Sequence, residues 1–372
     1  MAERLDEADP RSYVPGRARR GRDRRSSLND RFLRACRREP VDTTPIWIMR
    51  QAGRYLPEYR AVRGKTTFLG LCKTPELAAE VTVQPVDLLG VDAAILFSDI
   101  LIPVEAMGVP LEFHEHEGPV LPQPVRTAAD VEKLAVFDPQ DRTPFTLEAI
   151  RQTVRALGGR VPLIGFAGAP FTLAAYMVEG GGSKNWLGVK RMMRQEPRLA
   201  HALFGKITDA IAQYLVAQVE AGCRAVQIFD SWGGELGPED FETWTLPYVQ
   251  RMVAAVKARH PDVPVIYFGT GMSTLLTRMK KTGADVIGLD WRIEIDAARA
   301  ILGDDVAVQG NLDPTALFLP PEEITRRAED IIRRNAGKPG HVFNLGHGIT
   351  PPTDPEAAKH LVREVHRLGK RS

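Results

Sequence analysis

Five basic side chains lie close together directly after the apolar run IWIM at 46–49. They fall within sixteen residues and are Arg50, Arg54, Arg60, Arg63 and Lys65. Guanidinium groups bind carboxylates through paired hydrogen bonds and stay charged when partly buried. Arg50 and Arg54 bracket Ala52 and Gly53, where small residues let a ligand approach the backbone. Their position at the end of an apolar run favours a carboxylate-binding site over solvated surface arginines.

Other polar residues follow apolar runs in the same way. Each run ends in groups that could bind or polarise a ligand, and these are Ser98, Asp99, Tyr176, Asp230, Ser231, Asp290 and His347. In a barrel of parallel strands, the carboxyl ends of all strands open on one face, and the chemistry sits there. We therefore expect these side chains to share one site with the arginines, although Asp230 and Asp290 also fit the role of structural supports.

Asp99 has two competing interpretations. A carboxylate at this position could accept hydrogen bonds from a ligand and oppose a positive charge that develops on it. The helical pattern ILIPVEAM begins directly after Asp99, so the same carboxylate could instead cap that helix. The residues themselves leave both interpretations open.

Eight short apolar runs alternate with longer helical patterns along the chain. Each has four or five residues with many β-branched or aromatic side chains, as buried parallel strands do, and they cover 46–49, 93–97, 162–166, 225–229, 264–268, 286–289, 306–309 and 342–345. This alternation predicts an α/β fold, a single-domain (β/α)8 TIM-type barrel. An open doubly wound sheet would need a G-x-G-x-x-G loop after the first strand, where this chain has RQAGR. Residues 101–140 form an insertion with a possible hairpin around VPLEFHEHEGPV.

Composition excludes several classes of protein. The 372 residues are 44% hydrophobic and 26% charged, which excludes a wholly disordered chain. A net charge of +2 argues against a generic nucleic-acid coat, and no apolar run approaches the ~20 residues of a membrane helix. Only three cysteines occur, which excludes a disulfide scaffold and favours a reducing compartment such as the cytoplasm.

The first residues differ from the rest of the chain. Residues 1–25 hold eight arginines and five acidic residues, a local charge of +3, so the remaining 347 residues carry about −1. We predict a disordered basic arm over 1–26 and a barrel over 27–372, beginning with a capped helix in SLNDRFLRAC. No apolar stretch follows the charges, so a secretory signal is not expected. A solvated tail, or a start codon assigned too far upstream, is preferred over an arm that binds RNA or membranes.

Two long segments resemble the signature segments of the uroporphyrinogen decarboxylase family. They are PIWIMRQAGRYLPEYR and GFAGAPFTLAAYMVEGG, and the shorter AAILFSDIL, QIFDSW, QGNLDP and NLGHGI are similar to the family's other landmarks in the same order. The resemblance runs from about Asn29 to Leu368. One departure is Thr270 in FGTG, where many members carry lysine, and we do not place Thr270 in the site.

The resemblance implies a homodimeric, cytoplasmic barrel enzyme without metal or organic cofactor. It implies removal of the four acetate carboxyls of uroporphyrinogen III to give coproporphyrinogen III, a step of haem and other tetrapyrrole synthesis. Catalytic roles are implied for Asp99 and Arg50. Substrate-binding roles are implied for Arg50, Gln51, Ala52, Gly53, Arg54, Arg63, Asp99, Tyr176, Ser231 and His347. The proton donor stays open between a water or hydronium held by Arg50 and His347, because arginine itself is a poor acid.

Two rival functions are compatible with parts of the sequence. Zinc- and cobalamin-linked methyltransferases share this barrel type, but they need a His-x-Cys pair and a distant cysteine as ligands. Cys36, Cys72 and Cys223 all fall in helical patterns, and none lies two residues from a histidine. A nucleic-acid-binding protein would explain the basic arm but not the residues at the strand ends. We therefore expect neither a metal site nor a nucleic-acid or membrane partner.

Overall fold

The computed structural model describes residues 29–114 and 118–371. The predicted arm, residues 1–26, and Ser27 lie outside these ranges. The described residues form nine strands: β1 Ala94–Ile95, β2 Glu112–His114, β3 Gly118–Val120, β4 Leu163–Gly168, β5 Ala225–Asp230, β6 Val265–Gly269, β7 Val286–Gly288, β8 Ala307–Gln309 and β9 His341–Val342.

Helices follow most of the strands. The α-helices are α1 Arg31–Cys36, α2 Pro57–Arg63, α3 Phe68–Lys73, α4 Pro75–Leu89, α5 Ile102–Ala106, α6 Ala128–Lys133, α7 Pro139–Arg142, α8 Pro144–Leu157, α9 Pro170–Glu179, α10 Leu187–Gln195, α11 Pro197–Ala221, α12 Pro238–Trp244, α13 Leu246–Arg259, α14 Leu276–Lys280, α15 Ile295–Leu302, α16 Pro321–Arg334 and α17 Pro355–Leu368. Short 3₁₀ turns occupy Gly233–Glu235, Ser273–Leu275 and Pro314–Phe318. None of the described helices is long and apolar enough to span a bilayer.

Seven parallel strands curl around a buried interior in the order β1-β4-β5-β6-β7-β8-β9. One further segment closes the ring between β9 and β1. Ile46 forms a parallel bridge with Phe343, next to β9, and its carbonyl oxygen accepts the Asp92 N–H at 2.8 Å, next to β1. The predicted (β/α)8 barrel is therefore confirmed. Residues 45–47, here called the closing segment or closing stave, take the place of the eighth strand.

The predicted first strand at 46–49 is wrong in detail, because only Ile46 pairs as a strand residue. Side-chain amides replace the ladder beyond it: the Ile48 N–H donates to Gln51 Oε1 at 3.0 Å, and the Met49 N–H donates to Asn344 Oδ1 at 2.9 Å. The backbone then turns at Arg50, whose φ of 63° is incompatible with a strand. The chain thus leaves the barrel early and forms the loop that carries the arginines.

Three other expectations have clear outcomes. The hairpin in the 101–140 insertion is confirmed by the antiparallel register of β2 and β3. The helical pattern GPEDFETWTLPYVQRMVAAVKARH at 237–260 predicts one helix, but the structure has two, α12 and α13, that meet at Thr245. Pro247 follows this break, in the first turn of α13, where the missing N–H costs nothing. The first helix begins at Arg31, after Asp30, and Asp30 makes no side-chain cap bond.

Polar side chains meet inside the barrel. Trp47 Nε1 donates to Gln309 Oε1 at 2.9 Å, and Gln309 Nε2 donates to Gln227 Oε1 at 3.0 Å. Trp47 lies in the closing segment, Gln309 in β8 and Gln227 in β5. These three elements are not neighbours in the ring, so their contacts cross the interior. All three are buried, and the donated bonds satisfy polar groups that would otherwise destabilise the core.

Asp92 clamps the closing segment at the amino-terminal end of the barrel. Its buried carboxylate accepts the Ile46 N–H at 2.8 Å and His366 Nε2 at 2.7 Å through one oxygen. The other oxygen accepts from Arg31 Nη1 at 2.7 Å and from Asn29 Nδ2 at 3.2 Å. Three parts of the fold, the closing segment, the start of α1 and α17, are therefore tied to one carboxylate.

Candidate active site

Arg50 stands at the turn that ends the closing segment. Its left-handed backbone costs a non-glycine residue about 1 kcal/mol, so the surrounding fold must hold it there. The exposed side chain runs across the backbone of Gly348, where an added Cβ would come within 2.8 Å of Arg50 Cγ. The loop after β9 is fixed beside it, since the Ile349 N–H donates to the Met49 carbonyl oxygen at 2.9 Å. The loop after β9 therefore fixes the direction of the Arg50 side chain.

The residues after Arg50 shape the loop. Gln51 is fully buried, and its amide binds Ile48 N–H and the Ala93 carbonyl, which ties the closing segment to the start of β1. Ala52 and Gly53 are half-buried. A Cβ on Gly53 would lie 2.9 Å from the Arg50 carbonyl oxygen, so the tight turn needs glycine. The Gln51 side chain therefore binds the barrel wall, whereas the backbone of residues 52–53 lies at the candidate site.

Asp99 lies half-buried after β1, between that strand and α5. Its Oδ1 accepts the Leu101 N–H at 2.8 Å, so part of the capping interpretation is correct. No residue of the described ranges donates a hydrogen bond to Oδ2. Desolvation raises the pKa of Asp99, while the Leu101 bond and the charge of Arg50 lower it, and the net direction is upward. One oxygen is thus fixed by the backbone and the other is available.

Tyr176 on α9 is half-buried in an aromatic cluster. Its ring makes edge-to-face contacts with Trp186 and Trp232, with centroids 5.2 and 6.2 Å apart. Burial raises the pKa of the phenol, with a smaller increase from the charge of Asp99 and a decrease from that of Arg50. Tyr176, Asp99 and Arg50 therefore lie within electrostatic reach of one another, although they come from three different loops.

Ser231 lies half-buried between two fixed neighbours. Asp230 is fully buried and accepts the hydroxyls of Thr172 and Tyr267, each at 2.7 Å. The Thr172 hydroxyl oxygen in turn accepts the Trp232 N–H at 3.2 Å. Burial raises the pKa of Asp230 to about 6, against these two hydroxyl bonds. Asp230 thus has the supporting position that the sequence allowed, and it orders the loop that carries Ser231.

His347 follows β9 and is half-buried. Its ring meets Trp291 edge to face, with centroids 6.5 Å apart. Burial and the positive charges of Arg50 and Arg292 lower the pKa of His347 to about 4. The imidazole is therefore neutral at pH 7 in the free protein, and it lies in the positive field of two arginines.

Arg54 and Arg63 stand at the edge of this group. Arg54 is exposed, whereas Arg63 is half-buried at the end of α2 and donates to the Thr66 carbonyl oxygen. The charges of both arginines lower the pKa of Tyr59, while burial raises it. Tyr59 packs against Phe97, two residues before Asp99, with ring centroids 5.5 Å apart. Both arginines therefore lie on the β1 side of the site, without a direct contact to Asp99.

Trp232, Trp291 and Arg292 lie beside the candidate site residues, and the sequence patterns did not predict them. Trp232 contacts Tyr176, and Trp291 and Arg292 accompany His347. Their position carries a signal, because all three follow a strand-end aspartate, Asp230 or Asp290, by one or two residues.

Other candidate sites carry less chemistry. A surface groove of about 590 Å³ lies between α6 and the α10–α11 junction, and it contains none of the residues above. Within 29–114 and 118–371, no three side chains of His, Cys, Asp or Glu are grouped to hold a metal ion. Cys36, Cys72 and Cys223 are buried, and burial raises the pKa of each thiol.

Known proteins of the same fold include a methyltransferase from Methanosarcina mazei. Its structure superposes with a TM-score of 0.77 at 23% identity, covering 92% of this chain and 98% of that one. A B12-independent methionine synthase from Shewanella superposes at 0.51 with 11% identity, covering 87% and 95%. Identities this low establish the shared barrel and nothing about the reaction.

Sequence relatives are much more similar. A family model described as uroporphyrinogen decarboxylase matches residues 27–368. The curated uroporphyrinogen decarboxylase of Myxococcus xanthus is 65% identical over 342 residues, covering 92% of this chain and 97% of that protein. The enzyme of Geobacter sulfurreducens is 56% identical over 344 residues, covering 92% and 100%. With these matches, and with the family's landmarks gathered on one face of the barrel, the chain belongs to the uroporphyrinogen decarboxylase family.

Proposed function

We propose that this chain removes the four acetate carboxyl groups of uroporphyrinogen III and releases coproporphyrinogen III and four CO2. The proposal rests on membership of the family and on one structural observation. Asp99 is half-buried near Arg50 and Tyr176. One carboxylate oxygen accepts the Leu101 N–H, and the other accepts no hydrogen bond from a described residue. A carboxylate arranged in this way can bind N–H groups of a ligand.

The chemistry needs an electron sink, because loss of CO2 leaves an electron pair on the side-chain carbon. A pyrrole protonated at the carbon next to nitrogen becomes a cation that accepts this pair. The C–COO⁻ bond then breaks, and a second proton added at the side-chain carbon gives the methyl group as the ring loses its extra proton. Asp99 would accept pyrrole N–H bonds and oppose the cation, so its interaction strengthens in the transition state.

Binding must cope with a strongly anionic substrate. Uroporphyrinogen carries four acetates and four propionates, whereas the chain outside residues 1–25 has a net charge of about −1. Attraction therefore has to come from local cations, and Arg50, Arg54 and Arg63 supply them along one loop. The hydroxyls of Tyr176 and Ser231 would donate hydrogen bonds to further carboxylate oxygens.

Solvent fits the role of proton donor better than His347 does. A pKa of about 4 leaves His347 neutral at pH 7, so few molecules carry the imidazolium that would donate. Arginine holds its proton too tightly to donate it. We therefore assign His347 to binding a carboxylate, and we assign proton delivery to a hydronium ion that comes from solvent and passes its proton on through a water beside Arg50.

The remaining expectations extend this proposal. The reaction uses the substrate's own ring as electron sink, so it needs neither metal nor organic cofactor. We propose a homodimer that works in the cytoplasm and binds neither nucleic acid nor membrane. Deleting residues 1–26 should leave decarboxylation unchanged if the basic arm has no part in it, whereas loss of activity would contradict that view.

The decisive experiment is anaerobic incubation of the full chain with uroporphyrinogen III, followed by oxidation and chromatography of the porphyrins. We expect products with seven, six, five and finally four carboxyl groups. Complete recovery of the eight-carboxyl species by protein with native circular dichroism would reject the proposal. Methyl transfer with stoichiometric bound zinc would replace it with the rival function.

A further inference from the structure

Arg292 lies beside the candidate site but outside the two segments that resemble the family's signature segments. It follows β7 by four residues, and its side chain is 47% exposed. Its Nη1 donates to Asp290 Oδ2 at 2.5 Å, and its guanidinium lies over the Trp291 ring at 4.1 Å from the centroid. The group is therefore held on one edge and one face, which reduces the entropy lost when it binds a ligand.

The carboxylate of Asp290 does not cancel this cation at the surface. The Asp290 side chain is 1% exposed and also accepts the backbone N–H groups of Gly271 and Arg292, at 2.6 and 3.0 Å. Its charge is thus shared among three donors below the surface, whereas the guanidinium faces solvent. Nε and Nη2 of Arg292 have no acceptor within the described ranges. This is the free half of the fork that binds a carboxylate.

Arg292 faces the same place as the arginines of the first loop. Trp291, which carries the guanidinium on its face, meets His347 edge to face, and Gly348 beyond it supports the Arg50 side chain. The charges of Arg50 and Arg292 both act on the His347 ring and lower its pKa, and the charge of Asp290 has a smaller opposite effect. Two cations from different sides therefore converge on one half-buried imidazole.

We propose that Arg292 is a further substrate-binding residue, which holds a peripheral carboxylate of the tetrapyrrole at the rim of the barrel beside His347. The inference rests on the proposed function, since it needs a ligand with many carboxylates. Arg50, Arg54 and Arg63 all belong to the segment after the closing stave, so they approach the ligand from one side. Arg292 comes from the loop after β7 and would hold a carboxylate on another side, which fixes the ring's orientation.

The test compares Arg292→Gln with Arg251→Gln. Arg251 on α13 is a matched control, because it is 49% exposed, pairs with Asp209 on α11 and lies on an outer helix. Each variant removes one positive charge from an ion pair. We expect Arg292→Gln to raise KM for uroporphyrinogen III about fivefold with kcat within twofold, and Arg251→Gln to change neither. KM of Arg292→Gln should also rise less steeply with NaCl concentration than that of the unaltered chain.

Arg292→Lys keeps a charge beside Asp290 and guards against a structural explanation. It should melt at the unaltered temperature and raise KM two- to threefold, because ammonium cannot form the forked pair. An unchanged KM in both Arg292 variants, or an equal rise in Arg251→Gln, would overturn the inference. Absence of decarboxylation in the unaltered chain and in Arg251→Gln would instead reject the proposed function.

Discussion

The Arg50 side chain lies across the backbone of Gly348, so two loops from opposite ends of the chain fix one catalytic candidate. A Cβ at position 348 would lie 2.8 Å from Arg50 Cγ and 2.9 Å from Nε. The left-handed turn at Arg50 starts the side chain in this direction, and the bond between the Ile349 N–H and the Met49 carbonyl holds the two loops together. The absence of a side chain at 348 thus sets the path of the guanidinium.

Gly348→Ala should therefore impair the reaction without unfolding the protein. The added methyl group would displace the Arg50 side chain, because its middle atoms and not its tip are in the way. We expect kcat/KM to fall about tenfold or more, since misplacement by ~1 Å can cost on the order of 100-fold. Steady-state decarboxylation and thermal melting measure the two effects. Gly205→Ala on α11 is the control, as a Cβ there meets nothing within 4 Å; equal activity of both variants would contradict the proposed support.

Asp99→Asn should separate the charge of Asp99 from its structural bond. The amide oxygen can still accept the Leu101 N–H, so the start of α5 is kept. Loss of the carboxylate removes the group that opposes the developing cation, and kcat should fall at least about 100-fold. Because the pKa of Asp99 is raised in the fold, neutralising it should not lower Tm.

The comparison with Asp99→Ala completes that experiment. Alanine removes both the charge and the Leu101 bond, so it should match asparagine in activity and melt at a lower temperature. Near-normal turnover by either variant would reject the catalytic role, and a large fall in Tm for asparagine would assign Asp99 to the fold.

Asp230 should make stability depend on pH between about 4 and 6. Its pKa rises from 3.8 to about 6 on folding, so the folded chain binds this proton more tightly. The stabilising contribution is complete below about pH 4, where the carboxyl is protonated in both states, and is lost as pH rises through about 6. The contribution is on the order of 3 kcal/mol, from ~1.4 kcal/mol per pKa unit.

Urea unfolding of the unaltered chain and of Asp230→Asn, at several pH values, isolates this effect from other titrating groups. The asparagine variant cannot titrate, so its free energy of unfolding should gain relative to the unaltered chain as pH rises from 4 to 6. Parallel curves for the two proteins would show that Asp230 keeps an ordinary pKa in the fold.

Asp92→Ala should destabilise the barrel by about 3–5 kcal/mol. The change removes a buried acceptor from four donors and leaves Ile46, at the closing stave, without its partner. Burial raises the pKa of Asp92, but the bonds and charges of His366 and Arg31 lower it overall, so its contribution fades as pH falls below the ordinary range. Urea unfolding at pH 7 measures the loss.

Asp87→Ala is the matched control for that change. Asp87 also pairs with an arginine, Arg160, but both side chains are largely exposed, and such pairs contribute at most about 1 kcal/mol. Losses of similar size at the two positions would refute a closing role for Asp92.

Position along the chain predicted where much of the candidate site lies. The strand-end rule selects Asp99, Ser231 and His347, and the structure places Ser231 directly after β5, Asp99 four residues after β1 and His347 five residues after β9. The rule does not predict which polar groups of these residues bind the protein itself and which stay available to a ligand. Gln51 gives its amide to the barrel wall, and Asp99 gives one oxygen to Leu101, because buried backbone groups must be satisfied before a ligand arrives.

The order and composition of the segments determined the barrel, its site face and the arginine loop, because alternation of apolar runs and helical patterns is local information. Only the tertiary structure decided how the ring closes and where the charges point. Ile46 pairs with Phe343 across almost the whole chain, and Gly348 supports Arg50 from a loop about 300 residues away. The place of Arg292 has the same cause. Its contacts with Trp291 and Asp290 are local, but its approach to His347 and Arg50 exists only after the strands curl into a closed ring.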